Sequence, residues 1–155
     1  MDATDRRILE ILSENANATS TEIGQQVNLS IPAVNKRIQR LQKEKIIRRF
    51  TVLTDGKKIG KPIMAYILVV LRYSDGAEAI QEYIHQDPDV LECYAVTGEY
   101  DYILKVCARD VEALEEKLLH LKRQKGVVKS HTMLSLQEHK FEPTILPDEE
   151  EDCHE

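Results

Sequence analysis

The sequence predicts an α+β fold in two modules: an N-terminal winged helix-turn-helix, then a ferredoxin-like βαββαβ domain. Three observations carry this expectation. Apolar residues recur at helical spacing as far as Lys43, and the pattern turns strand-like at Ile63. The elements of the second module follow in the order β-α-β-β-α-β. Positive charge is concentrated in one stretch. Residues 32–62 hold ten Lys/Arg against two Asp/Glu, a balance of +8, so the rest of the chain carries −14. The boundaries expected are 1–50 for the helix-turn-helix, 51–61 for a linker or wing, 62–140 for the second domain and 141–155 for an acidic tail.

The first helix is expected over residues 4–15, with Ile8, Leu9, Ile11 and Leu12 on its inner side and Asp2 or Thr4 as its cap. A polar NANATS break follows. Thr19 or Ser20 then caps a short second helix, with Glu22 placed for a capping box. Its inward residues are Ile23 and Val27, and Gly24 between them leaves room for another helix. Asn28 adopts a positive-φ turn more easily than most residues. Leu29 plugs the angle between the helices, Ser30 is a good N-cap, and Pro32 falls in the first turn, where its missing N–H costs little.

The third helix has one apolar stripe, Val34, Ile38 and Leu41, and a basic, amide-rich remainder with no acid from Pro32 to Lys43. A solvated helix in a bundle more often mixes both charge signs, so a recognition helix in a major groove is the stronger reading. Ile31, Ala33, Asn35, Lys36 and Gln39 are expected near base edges, because amides and cations match purine patterns there. Arg37, Arg40, Lys43, Arg48 and Arg49 suit phosphates, and Ser30 completes the set. Residues 46–54, IIRRFTVLT, are β-favourable, and DGKKIG makes a basic turn. A hairpin-like wing or a connector is expected.

In the second module, strands are expected at 63–73, 90–97, 102–108 and 127–138, and helices at 77–85 and 111–125. The first helix presents Ala77, Ile80 and Ile84, and the second Val111, Leu114, Leu118 and Leu121. Gly126 caps the second. Two helices cover only one face of a four-stranded sheet, yet residues 63–71 are apolar on both faces. A strand of that kind is buried on both sides, so a second copy of the chain is expected on the open face.

No apolar run reaches the roughly 18 residues a membrane span needs. The N-terminus lacks a secretory pattern, so a cytoplasmic location is expected. Cys93, Cys107 and Cys153 form no ligand-spaced motif. The first two, about equally far from the GEYD turn, read as small buried hydrophobes near each other across a hairpin. Cys153-His154 among acids is too local for a closed metal site, and neither a metal nor a cofactor is expected.

Together, DATDRRILEILSENANATSTEIG, NLSIPAVNKRIQRLQKEKIIRRF, VTGEYDYIL and KGVVKSHTMLSL resemble the Lrp/AsnC (feast/famine) family of transcription regulators over residues 2–140. The resemblance implies double-stranded DNA as partner. It also implies homodimers assembling into octamers or similar rings, and an amino-acid effector bound between dimers. Two positions depart from the family, which usually has glycine where this chain has Asn28 and Lys45. A non-glycine residue held at positive φ costs about 1–2 kcal/mol.

VTGEYDYIL, residues 96–104, is open to several chemistries. A hairpin turn accounts for Gly98. An amino-acid site uses more of it: Asp101 takes the ammonium, and exposed N–H groups take the carboxylate. The resemblance implies Thr97, Gly98, Glu99, Tyr100 and Asp101 at the effector, with Ser130 and Thr132 of the last strand facing it. Asp101→Ala is then expected to abolish the effector response and spare DNA binding. Catalysis is disfavoured, since Glu99 and Asp101 have no companion nucleophile and His131 has no evident partner. The competing functions are a sirohaem-decarboxylase-like enzyme on the same scaffold, and a DNA-organising regulator without an effector. Against the enzyme, His85, His120, His131 and His139 are scattered.

Overall fold

The computed structural model describes residues 1–72 and 77–148 of the 155-residue chain. Tyr73, the expected end of the first strand, and residues 149–155 of the acidic tail, with Cys153 and His154, lie outside the described residues. The chain divides into two compact units: Met1–Val52 with the segment that begins at Lys140, and Leu53–His139.

The first unit holds α1 (Ala3–Glu14), α2 (Ser20–Val27) and α3 (Ile31–Lys43). Reciprocal capping boxes start the first two, Asp2 with Asp5 and Thr19 with Glu22. Each satisfies backbone donors that a helix N-terminus otherwise leaves open. Ile8, Ile11, Ile23, Val34 and Leu41 form the core, with Val27, Leu29 and Ile38 packed on it. A Cβ on Gly24 would meet the Leu29 carbonyl oxygen at 2.6 Å, so the α2–α3 turn closes only around a glycine. Asn28 ends α2 in the left-handed region, φ 53. Ser30 occupies the N-cap of α3, but its side chain makes no cap bond, contrary to the role expected of it.

α3 ends in a Schellman turn. The Ile46 amide donates to Leu41 O at 2.9 Å and the Lys45 amide to Gln42 O at 3.0 Å, with Lys45 at φ 58. Beyond it, residues 46–62 form no strand. Their β propensity finds no partner strand among the described residues, and a lone strand leaves its N–H and C=O groups unpaired. The connector form of the wing region is therefore the one present, with Phe50, Val52 and Leu53 exposed.

The second unit contains β1 (Ile63–Leu71), α4 (Ala77–Gln86), β2 (Val90–Ala95), β3 (Tyr102–Ala108), α5 (Val111–Lys122) and β4 (Val127–Leu134). The antiparallel sheet runs β2-β3-β1-β4. This is the expected βαββαβ order, with β2, α5 and β4 ending short of their expected limits. Ala65, Ile67, Val69 and Leu71 of β1 join Leu104, Val106, Ala108, Ile80, Tyr83, Leu114 and Leu121 in the core. Val111, expected on the inner stripe of α5, is exposed because it is the first residue after the Asp110 cap. The intervening β1 residues, Tyr66, Leu68 and Val70, stand on the opposite face with Ile103, Lys105, His131 and Met133. Cys93 and Cys107 are not cross-strand neighbours. Cys93 faces Leu104 towards the helices, and Cys107 pairs with Met64 on the other side of the sheet. No described helix is long and apolar enough to cross a membrane.

Candidate DNA-binding surface and effector loop

Along α3, burial of Val34 and Leu41 turns Ile31, Asn35, Lys36, Gln39 and Lys43 outward, all exposed, with Ala33 half-buried. Ser20 at the start of α2 donates from Oγ to Asn35 Oδ1 at 2.5 Å. Ser30, Arg48 and Arg49 are exposed as well. The outward set is therefore one amide-rich, cationic surface with an exposed isoleucine at its leading end.

Arg37 and Arg40 do not belong simply to that surface. Arg37 Nη1 donates to Asp2 Oδ1 and Oδ2 at 2.9 and 2.7 Å and to Asp5 Oδ1 at 2.8 Å. Arg40 Nη2 bonds Asp5 Oδ2. The Arg37 hydrogen bond above all, with the Asp5 amide, holds the Asp2 carboxyl below its ordinary range. Burial pushes the other way at Asp5, but the bonds from Arg37 and the Asp2 amide outweigh it. Sequence reasoning missed Asp5. The signal was present: it stands three residues before Ile8, on the buried stripe of α1.

The stretch around Gly98 forms the β2–β3 connection. The Val96 amide donates to Asp101 O at 2.9 Å, leaving Thr97–Tyr100 as the tip, and Gly98 takes φ +112 in open space. Asp101 is tied into the end of β1. Its amide donates to Val69 O at 2.9 Å, and its Oδ2 accepts from the Leu71 amide at 2.7 Å. A recess of about 270 Å³ opens beside it, lined by Leu71, Arg72, Ala77, Ala95, Val96, Asp101 and Tyr102. Thr97, Gly98 and Glu99 are exposed at its edge.

Within one chain the expected effector residues are not all on one side. Tyr100 lies against β4, its ring 6.4 Å from that of His131 with Lys129 Nζ 5.4 Å from its centroid. Ser130 and Thr132 pair with Val69 and Ile67, which puts them on the helix-covered face. The two-residue period of a strand makes these alternatives exclusive.

A larger recess, about 520 Å³, lies among Lys61, Asp87, Asp89, Arg109, Lys117 and His120. Its charges largely neutralise one another. Lys117 Nζ is 2.7 Å from Asp87 Oδ2 and 3.0 Å from Asp89 Oδ2, and Lys61 bonds Asp89. Among the described residues no group of His, Cys, Asp and Glu is placed to hold a metal ion.

Residues 64–145 match the family model described as Lrp/AsnC ligand binding domain, and residues 1–48 the one described as winged helix-turn-helix DNA-binding. The chain belongs to the Lrp/AsnC family of transcriptional regulators. An Lrp/AsnC regulator is DNA-binding, and residues 1–48, which contain α3, are the part that matches the DNA-binding model. The HTH-type transcriptional regulator FL11 of Pyrococcus horikoshii is 32% identical over 150 residues, covering 95% of this chain and 96% of its own. HTH-type transcriptional regulator Rv2324 of Mycobacterium tuberculosis is 34% identical over 136 residues, 88% and 92% of the two chains. Among solved structures, the transcriptional regulator NMB0573 of Neisseria meningitidis in complex with L-Met superposes with TM-score 0.89 at 29% identity, covering 94% of this chain and 96% of that one. These relatives are named as regulators, and the decarboxylase alternative is set aside on that ground.

Proposed function

We propose that this Lrp/AsnC regulator is gated by a free amino acid bound at the Gly98–Asp101 loop. The observation that carries it is Asp101 itself: a half-buried carboxylate at the edge of a recess, next to a glycine whose surroundings are open. With Oδ2 on the Leu71 amide, Oδ1 takes the ligand ammonium, and N–H groups near Gly98 take its carboxylate. Arg72, also on the recess, offers a cation for that carboxylate. The neisserial relative, bound to L-Met, supports the chemical class.

A second copy of the chain covers the open sheet face. Tyr66, Leu68, Val70, Ile103 and Met133 supply its apolar surface, and each aliphatic group buried contributes about 1.5–3 kcal/mol. Dimers then assemble into octamers or similar rings, bringing effector loops and β4 residues of different copies together. This is how Ser130 and Thr132 would come to serve a neighbour's loop. The protein works in the cytoplasm on double-stranded DNA, with no cofactor.

The test is a thermal-shift screen of the twenty amino acids, followed by gel-shift assays with each hit. Absence of any shift at millimolar concentration overturns the effector. Asp101→Ala removes both the charge and the acceptor for the Leu71 amide, so Asp101→Asn is the sharper variant. It keeps an oxygen for Leu71 and is expected to lose the effector response while DNA binding persists.

A further inference from the structure

Among the described residues Asp5 is the one charged side chain with no solvent exposure. It sits on α1 and points into the junction with the recognition helix. Its two oxygens are divided between two arginines of that helix: Oδ1 accepts from Arg37 and Oδ2 from Arg40.

The two arginines are left in different states. Arg37 Nη1 contacts three carboxylate oxygens from Asp2 and Asp5, and its side chain is 27% exposed. Its charge is spent inside the domain. Arg40 bonds Asp5 through Nη2, and 47% of its side chain is exposed. A guanidinium is a rigid planar fork with five donors, so a buried carboxylate on Nη2 limits where the remaining donors point. Arg40 also lies one turn beyond Lys36, on the flank of the outward surface. Its ordering is completed on folding, so it need not be paid for when DNA binds.

We propose that Asp5 is a positioning residue for DNA binding: it withdraws Arg37 from the DNA-facing set and aims the free edge of Arg40 at a backbone phosphate. Asp5 itself touches no DNA. The proposal rests on the DNA-binding role of α3 and not on the effector.

The number of phosphates neutralised is read from the slope of log affinity against log salt, about −0.9 for each contact on duplex DNA. The experiment measures this slope for the full-length protein on a fluorescently labelled random-sequence duplex. Arg40→Gln is expected to flatten the slope by about 0.9, one phosphate contact. Arg37→Gln is expected to leave it unchanged, although the fold is weakened. Asp5→Asn should flatten it by the same amount as Arg40→Gln, because Asp2 still holds Arg37 through two oxygens, and the double variant should flatten it no further. Asp5→Glu, which restores a carboxylate, should recover part of the slope. A merely structural Asp5 would lower the melting temperature without moving the slope, and that result overturns the proposal. Equal flattening by Arg37→Gln and Arg40→Gln overturns it as well, and remains measurable if Asp5→Asn fails to fold. Wild-type protein without salt-dependent binding would refute the DNA-binding role of α3 instead, a separate outcome.

Discussion

Lys45 is the position where a substitution to glycine is expected to stabilise the helix-turn-helix. It holds φ 58 immediately after α3, and the turn it makes satisfies the carbonyls of Leu41 and Gln42. A residue with a Cβ costs about 1–2 kcal/mol in the left-handed region. Glycine removes that cost but returns about 0.5–1 kcal/mol through the greater freedom of the unfolded chain. The net expected gain is about 0.5–1 kcal/mol, which for a unit this small raises the melting temperature by about 2–8 °C. Urea titration of the full-length chain, followed by far-ultraviolet circular dichroism, measures it. Lys45→Ala removes the same charge and keeps the Cβ, so it should give no gain. Asn28→Gly should gain less than Lys45→Gly, because asparagine tolerates this region better than lysine does. If Lys45→Gly lowers the urea midpoint, or if alanine stabilises as much as glycine, backbone strain is not what lysine contributes there.

Two further outcomes follow from the same unit. Gly24→Ala gains about 1 kcal/mol of helix propensity, but its Cβ would meet the Leu29 carbonyl at 2.6 Å. Overpacking of this kind costs about 1–3 kcal/mol, and backbone cannot rotate away, so a lowered denaturant midpoint is expected. A raised midpoint would show that the turn opens freely. Acid should weaken the unit through Asp2 and Asp5. Both have depressed folded values, so their contribution is intact above the ordinary 3.8 and is lost as pH falls through the lowered values. Stability measured from neutral pH down past 3.8 should drop steeply in wild type and less steeply in Arg37→Gln. Parallel curves would mean that Arg37 does not set those values.

Local chemistry made much of this protein legible in its sequence. The Thr19–Glu22 spacing marked a helix start, Asn28 marked a left-handed stop, and the apolar run from Ile63 marked β1. What escaped was decided by partners distant in the chain. Residues 46–53 have strand composition, but composition does not supply a neighbouring strand. Ser130 and Thr132 were grouped with Tyr100 through the family resemblance, whereas their side of the sheet within one chain follows from register with Ile67 and Val69. Arg37 looked like a phosphate ligand because its acid partners lie 32 and 35 residues away. The outward residues of α3 were easier, since helical phase alone separates them from Val34 and Leu41.

The bond between Asp101 and the Leu71 amide makes the loop and the central strand share a single carboxylate. A ligand that draws on this carboxylate draws on the hydrogen bond that ends β1, and the coupling is reciprocal. The Leu71 amide proton is thus a built-in meter of the loop. Its exchange with solvent should change when the carboxylate is engaged, without a label and without DNA. The same sharing limits how such a loop can vary: a replacement at 101 has to serve the strand before it can serve a ligand.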